Sequence, residues 1–195
     1  MILSNVELHR ALDDGRLVID PEPGPRFPTI DEPDCPYDTH SVDLRLAPEI
    51  SVPGPGQFAY DLTQPGRIAD TIARNSDTYT LSEAQPYVLE PGRFVLGRTL
   101  ERISLPINTK ESTCLAARIE GKSSRARFGL LIHFTAPTVH PGFEGSLTLE
   151  MINLGPAKFC LIPHMRIAQL IVEEVRGIPR KNESEFQGQS TPAGH

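Results

Sequence analysis

The chain has 195 residues, with 19 Lys and Arg against 25 Asp and Glu, and a formal net charge of −6. That length suits one domain with a single core, and an acidic chain without a basic tract is a poor candidate for binding nucleic acid polymers or anionic membranes. No stretch approaches the roughly 20 apolar residues of a membrane span. Residues 1–17 carry acids where a signal peptide would be apolar, so we expect a cytoplasmic protein.

The first predicted element is a helix near the start of the chain. Ser4 is a candidate N-cap with Glu7 three residues later, and Gly15 stands where a helix commonly ends. Its buried stripe would consist of Val6, Leu8, Ala11 and Leu12. Residues 20–40 then hold six prolines without periodicity, which predicts a loop.

Strand patterns dominate from Ser41 onward. Val42, Leu44 and Leu46 alternate with polar residues, and the intervening Asp43 and Arg45 are candidates for a structural ion pair. Further strand-sized segments lie at 78–81, 87–106, 114–121, 129–137, 145–156 and 158–175. Short helices are expected at 67–75 and 124–129, and tight turns at Glu90-Pro91-Gly92 and His140-Pro141-Gly142. The pattern predicts an all-β sandwich or barrel, followed by a mobile polar tail over 176–195.

A glycine, two hydroxyls and three cations follow one predicted strand, in the segment 121–127. Backbone N–H groups at such a turn, with Lys and Arg beside them, can cradle phosphate. The pattern alone equally fits a solvated basic loop.

A carboxylate interrupts an otherwise apolar strand at Glu150, on the face of Ser146, Thr148 and Ile152. A buried carboxylate must be paired or hydrogen-bonded, which is the setting of a general acid or base. The alternative is a Glu on the solvent face of the strand. His133 alternates with apolar neighbours and is interpreted as a packed strand residue.

The cysteines give no sign of a metal or disulfide framework. Cys35, Cys114 and Cys160 are odd in number and form no CxxC pair. We therefore expect free thiols and no zinc site.

Read together, these segments resemble the deoxycytidine triphosphate deaminase branch of the dUTPase-like superfamily. The likeness rests on motifs in the same order along nearly the whole chain. They are Ser41-Val42-Asp43-Leu44-Arg45-Leu46, Leu89-x-Pro91-Gly92, Lys122-Ser123-Ser124-x-x-Arg127-x-Gly129-Leu130, Thr135-Ala136, Pro141-Gly142-Phe143-x-Gly145, Thr148-Leu149-Glu150, Asn153, Gln169 and Phe186-Gln187-Gly188-Gln189.

The resemblance implies a single domain over 1–195 with a mainly β fold. That fold is a distorted β-barrel or jelly-roll of the dUTPase-like type, with a short N-terminal helix and few other helical turns. It further implies a homotrimer with interfacial active sites that deaminates dCTP to dUTP and ammonia. The zinc deaminase signature is missing here, in keeping with a zinc-independent family.

Roles carried over from the family fall on matching positions. Glu150 would be the proton shuttle, Ser123 and the Ala136 carbonyl would position water, and Arg127 would assist catalysis. The triphosphate would contact Lys122, Ser123, Ser124, Arg125, Ala126 and Arg127. The phosphates of the nucleotide would supply most of the ligands of Mg²⁺. The backbone of residues 148–150, which are Thr148, Leu149 and Glu150, would recognise the pyrimidine. The side chains of Gln169 and Gln189 would contact the base or the phosphates.

Two departures from the family pattern keep other functions open. His140 stands where the family usually has the Asp that meets the deoxyribose 3′-hydroxyl, and Glu185-Phe186 replaces the usual Lys-Tyr. Lys122 favours a bifunctional enzyme that releases dUMP. The two departures favour a third hypothesis, a family member that binds nucleotides without turnover.

Overall fold

A computed structural model describes residues 1–31, 33–54, 68–180 and 187–193. The elements in chain order are α1 (Asn5–Asp13), β1 (Val18–Asp20), β2 (Val42–Arg45), β3 (Glu49–Pro53), α2 (Ile68–Arg74), β4 (Ser76–Thr80), β5 (Tyr87–Leu89), β6 (Phe94–Ser104), β7 (Thr113–Gly121), α3 (Ser123–Ala126), β8 (Leu130–Ile132), β9 (Thr138–Val139), β10 (Glu144–Asn153), β11 (Phe159–Leu161) and β12 (Arg166–Arg176). Strands far outnumber helical turns, so the mainly β prediction is confirmed.

The first helix follows its predicted signals. The Ser4 side chain accepts a hydrogen bond from the Glu7 N–H at 3.5 Å, and Gly15 takes the left-handed conformation just beyond the last turn. Leu8 and Ala11 are buried as expected, whereas Val6 is 56 % exposed, which makes its assignment to the buried stripe wrong. His9 is buried in its place.

The described strands form three sheets. One contains β4-β3-β6-β10-β8 with β1 added to β6, one contains β2-β12-β7-β9, and β11 pairs with β5. Apolar residues of the two larger sheets face each other in one core, including Leu44, Ile119 and Leu149. The sheets do not close on themselves within the described residues, so the word barrel describes the architecture only loosely.

Strand β10 has a partly open edge, because its partner β8 is only three residues long. β8 pairs with Met151, Ile152 and Asn153, whereas β6 follows β10 from Glu144 to Ile152 on the other side. The register of β10 against β6 shifts between Ser146 and Thr148, which marks a β-bulge or similar irregularity.

The turn between α3 and β8 depends on two glycines. Gly129 has φ +94°, and a Cβ placed there would lie 2.3 Å from the backbone nitrogen of Gly155. Leu154 donates its N–H to the Gly129 carbonyl at 2.8 Å. This contact fixes α3 against the end of β10.

The proline-rich segment before β2 contains no helix or further strand among its described residues and packs on α1. Arg26 pairs with Glu22 at 2.7 Å and Asp13 at 2.6 Å, and Tyr37 donates to Glu22 at 2.8 Å. His9 lies edge-on to two rings, Phe27 and Tyr37, with centroids 4.8 and 4.9 Å away. Burial, and secondarily Arg26, lowers the pKa of His9.

Two smaller expectations have different outcomes. The ion pair between Asp43 and Arg45 is wrong, because Asp43 pairs with Lys122 while Arg45 donates to the fully buried Glu101 at 2.6 Å. Helix α2 confirms the predicted short helix, although its first expected residue, Arg67, lies outside the described residues.

None of the described helices is both long and apolar enough to cross a membrane.

Candidate functional site

A cavity of about 1040 Å³ lies where β10, the segment 133–143, α2 and the tail come together. Its walls are largely apolar, with contributions from Ile68, Ile72, Phe94, Leu96, Val139, Phe143, Pro179 and Pro192. The residues that contribute polar groups to its lining include His133, Ala136, His140, Thr148, Glu150, Arg180, Gln187 and Gln189. A mainly apolar cavity with a few converging polar groups is the usual form of a small-molecule site.

Glu150 lies on the cavity wall. Its side chain is 30 % exposed, and its Oε2 lies 3.2 Å from Nδ1 of His133. Neighbouring Leu149 and Met151 are fully buried. The strand therefore fixes the carboxylate at the cavity surface between two core residues.

The ring of His133 lies between two hydrogen-bond acceptors. Its Nε2 is 2.7 Å from the carbonyl oxygen of Ala136, so that nitrogen carries a proton, while Nδ1 faces the Glu150 carboxylate. Neither Nδ1 of His133 nor Oε2 of Glu150 forms a hydrogen bond with a described residue, although both atoms are buried. The imidazole ring and the carboxylate therefore lie side by side next to the carbonyl of Ala136.

The prediction that His133 packs as a strand residue is wrong. Strand β8 ends at Ile132, and His133 takes φ +56° while donating its N–H to the Glu150 carbonyl at 2.8 Å. The left-handed conformation turns its ring into the cavity. A polar residue at the end of an apolar run, two residues before Thr135-Ala136, is the sequence signal that could have indicated this position.

The open edge of β10 presents backbone groups to the same cavity. Alternate residues of a strand direct their N–H and C=O groups to the same edge. The Glu150 carbonyl accepts from His133, and the Ser146 N–H donates to the Gln189 carbonyl at 3.1 Å. Thr148 lies between them, and no described residue forms a backbone hydrogen bond with it at that edge. Its N–H and C=O are available as a donor and acceptor pair for a planar ligand.

The end of the tail packs beside this edge. Gln189 is buried, and its side-chain oxygen accepts from the Thr148 hydroxyl at 3.4 Å. Gln187 donates to the Gly142 carbonyl at 2.9 Å, within the His140-Pro141-Gly142 turn. His140 lines the cavity with an exposed side chain, whereas Glu185 and Phe186 lie outside the described residues.

The predicted phosphate segment lies apart from this cavity. Lys122 pairs with Asp43, and burial lowers the pKa of Arg125 while Asp43 opposes that shift. Gln169 pairs in register with Asp43 and accepts weakly from the Ser41 hydroxyl at 3.5 Å. The remaining members, Ser123, Ser124, Ala126 and Arg127, are exposed. The segment therefore forms a second polar cluster on the same chain.

Two residues of the family motifs support the fold instead of lining the cavity. The Leu149 side chain is fully buried, and Leu149 pairs in register with Gly97 of β6, so it lies in the core. Asn153 is buried and donates to the carbonyls of Leu89 and Ala157 at 3.0 and 2.7 Å. Both residues position β10 rather than face the cavity.

Metal-binding side chains are sparse in the part of the chain that the structure describes. No group of three or more His, Cys, Asp or Glu residues there lies close enough together to hold an ion.

Comparison with known proteins identifies the family. Residues 2–175 match the family model described as dCTP deaminase-like. The chain is 35 % identical to a dCTP deaminase of Natronomonas pharaonis, over 98 % of this chain and 92 % of that one. It is 37 % identical to a dUMP-forming dCTP deaminase of Dictyoglomus thermophilum, over 87 % and 78 %. The solved dCTP deaminase of Agrobacterium tumefaciens shares the fold, with a TM-score of 0.63 at 20 % identity, covering 95 % of this chain and 50 % of that one. The resemblance inferred from the motifs is confirmed, and the chain belongs to the dCTP deaminase-like family.

Proposed function

We propose that this protein is a dCTP deaminase, a hydrolase that cleaves the exocyclic C–N bond of the cytosine ring and produces dUTP and ammonia. The observation that carries the proposal is the His133–Glu150 pair on the cavity wall, beside the Ala136 carbonyl. The family and the names of the relatives supply the substrate class.

The proposed reaction needs one water and one proton carrier. Water adds to C4 of the cytosine, and its proton passes to the Glu150 carboxylate. Glu150 then delivers that proton to the exocyclic amine, the C4–N bond breaks, and ammonia leaves. The second proton of the water ends on N3 of the ring, and the water oxygen remains as the C4 carbonyl of the product. We assign to the Ala136 carbonyl a hydrogen bond from that water. In the structure this carbonyl faces Nε2 of His133 at 2.7 Å, so the ring must move before the water can bind there.

The open edge of β10 is suited to the base. A pyrimidine presents adjacent donors and acceptors in one plane, and the backbone of Thr148 offers one of each at the cavity surface. Gln189, already beside the Thr148 hydroxyl, supplies an amide with both kinds of group. We assign the recognition of the pyrimidine to this part of the cavity.

The phosphate segment is proposed to act across a subunit boundary. Ser123, Ser124 and Arg127 are exposed and do not line the cavity that contains Glu150 of the same chain. A homotrimer, as the resemblance implies, would bring Ser123 and the cations of one subunit to the cavity of the next. Mg²⁺ bound to the triphosphate would neutralise part of its charge.

Ammonia release tests the proposed function. Purified protein with Mg²⁺ and dCTP should release ammonia and form dUTP in equal amounts, measured by a coupled ammonia assay and by chromatography. Folded protein that binds dCTP in calorimetry without forming product would instead indicate a nucleotide-binding protein.

A dUMP-forming activity is the second candidate function. The Dictyoglomus thermophilum relative carries that description, at 37 % identity. The same chromatography separates the two enzymes, because a bifunctional protein gives dUMP and pyrophosphate from dCTP whereas a deaminase stops at dUTP.

A further inference from the structure

The cavity is lined by charged groups of both signs. One of these groups has no role in the motifs or in the family resemblance. Its ionisable lining within the described residues consists of Glu150, His133, His140 and Arg180. Arg180 is the permanent cation in that set, since a guanidinium stays protonated at all physiological pH values. A carboxylate and a guanidinium thus both line one cavity.

Arg180 is available for a ligand. Most arginines of the described chain contact carboxylates, including Arg10, Arg16, Arg26, Arg45, Arg98, Arg102, Arg118 and Arg166. No described residue forms an ion pair or hydrogen bond with Arg180, and its side chain is exposed. Among the described residues, no carboxylate has to be displaced before Arg180 can bind an anion.

The backbone directs Arg180 toward the cavity. Strand β12 ends at Arg176, and Gly177 turns the chain with φ +86° while donating its N–H to the Ser112 carbonyl at 3.1 Å. Pro179 lines the cavity wall directly before Arg180 and restricts the local φ. Arg180 is therefore held at the cavity by the end of a long strand.

We propose that Arg180 binds the phosphate chain of the nucleotide and so orients the substrate in the cavity. A guanidinium can donate two parallel hydrogen bonds to phosphate oxygens. The amine-bearing base then lies toward Glu150 and the phosphates toward Arg180. This inference rests on the proposed function for the identity of the nucleotide, and it adds a phosphate-binding residue outside the segment 122–127.

The experiment compares Arg180→Ala with Arg180→Lys and a matched control, Arg176→Ala. Arg176 is exposed, ends the same strand and does not line the cavity. The dissociation constants of dCTP and deoxycytidine, with Mg²⁺ at fixed ionic strength, are measured by calorimetry. KM and kcat for dCTP are measured alongside.

Arg180→Ala should weaken dCTP binding about ten-fold and raise KM similarly, because a charged contact to phosphate is lost. Binding of deoxycytidine and kcat at saturation should change by less than about two-fold, Arg180→Lys should fall between, and Arg176→Ala should match the wild type. Unchanged dCTP affinity in Arg180→Ala, or an equal loss for deoxycytidine, would overturn the inference. Wild-type protein that binds dCTP without releasing ammonia would refute the proposed deaminase while the calorimetry still decides the role of Arg180.

Discussion

Replacing Glu150 by Gln removes the proton carrier from the cavity and keeps its shape. The described lining contains no second carboxylate that could take over. General acid–base catalysis contributes about 10²- to 10⁴-fold, so we expect kcat to fall by about 10³-fold, equivalent to about 4 kcal/mol in activation free energy. The partly exposed pair with His133 contributes below about 1 kcal/mol to stability. The variant should therefore fold and bind dCTP normally.

The assay is ammonia release at saturating dCTP, with calorimetry for binding and thermal unfolding for stability. Glu144→Gln is the matched control, because Glu144 begins the same strand, is 64 % exposed and contacts Arg102 only at 3.6 Å. Its kcat should stay within about two-fold of the wild type. A Glu150→Gln variant that folds and keeps more than a tenth of the wild-type rate would show that Glu150 is not the proton carrier.

Three further predictions concern the neighbouring groups and the fold. His133→Ala should lower kcat by about 10- to 100-fold, because it removes the ring that lies 3.2 Å from the Glu150 carboxylate; an unchanged kcat would contradict this. Gly129→Ala should cost about 2–4 kcal/mol in denaturant unfolding, since its Cβ would meet the Gly155 backbone, whereas Gly15→Ala, which meets no atom within 4 Å, should cost only about 1–2 kcal/mol. Burial keeps the folded-state pKa of His9 below its unfolded value of about 6.5, so the unfolding free energy should fall as the pH drops through that value. His9→Phe should reduce that fall, and an identical pH dependence in the variant would refute the assignment.

Periodicity predicted the elements that lie against the core. The alternation at Val42, Leu44 and Leu46 appears as fully buried side chains, and the cap at Ser4 begins the first helix. The turn at His140-Pro141-Gly142 appears with φ +83° at the glycine, as Pro before Gly requires. These features were predictable because each depends on residues adjacent in the chain.

The composition of the site could be predicted only in part. Glu150 was found from its contrast with apolar neighbours, and Ala136, Thr148 and Gln189 join it in the cavity. His133 was missed because its role depends on where β8 ends, which periodicity does not determine. Arg180 was missed because an Arg in a polar tail carries no local signal.

The short length of β8 has a consequence for tolerance to mutation. The groups of Thr148 that are proposed to recognise the base are main-chain atoms, which every residue except proline supplies in full. Replacing the Thr148 side chain therefore alters the fit at the cavity wall but leaves the donor and acceptor in place. Changes that move β10 along β6, at the irregularity between Ser146 and Thr148, would relocate both groups together. With the base bound as proposed, its recognition would depend on strand register, which a single side-chain substitution rarely changes.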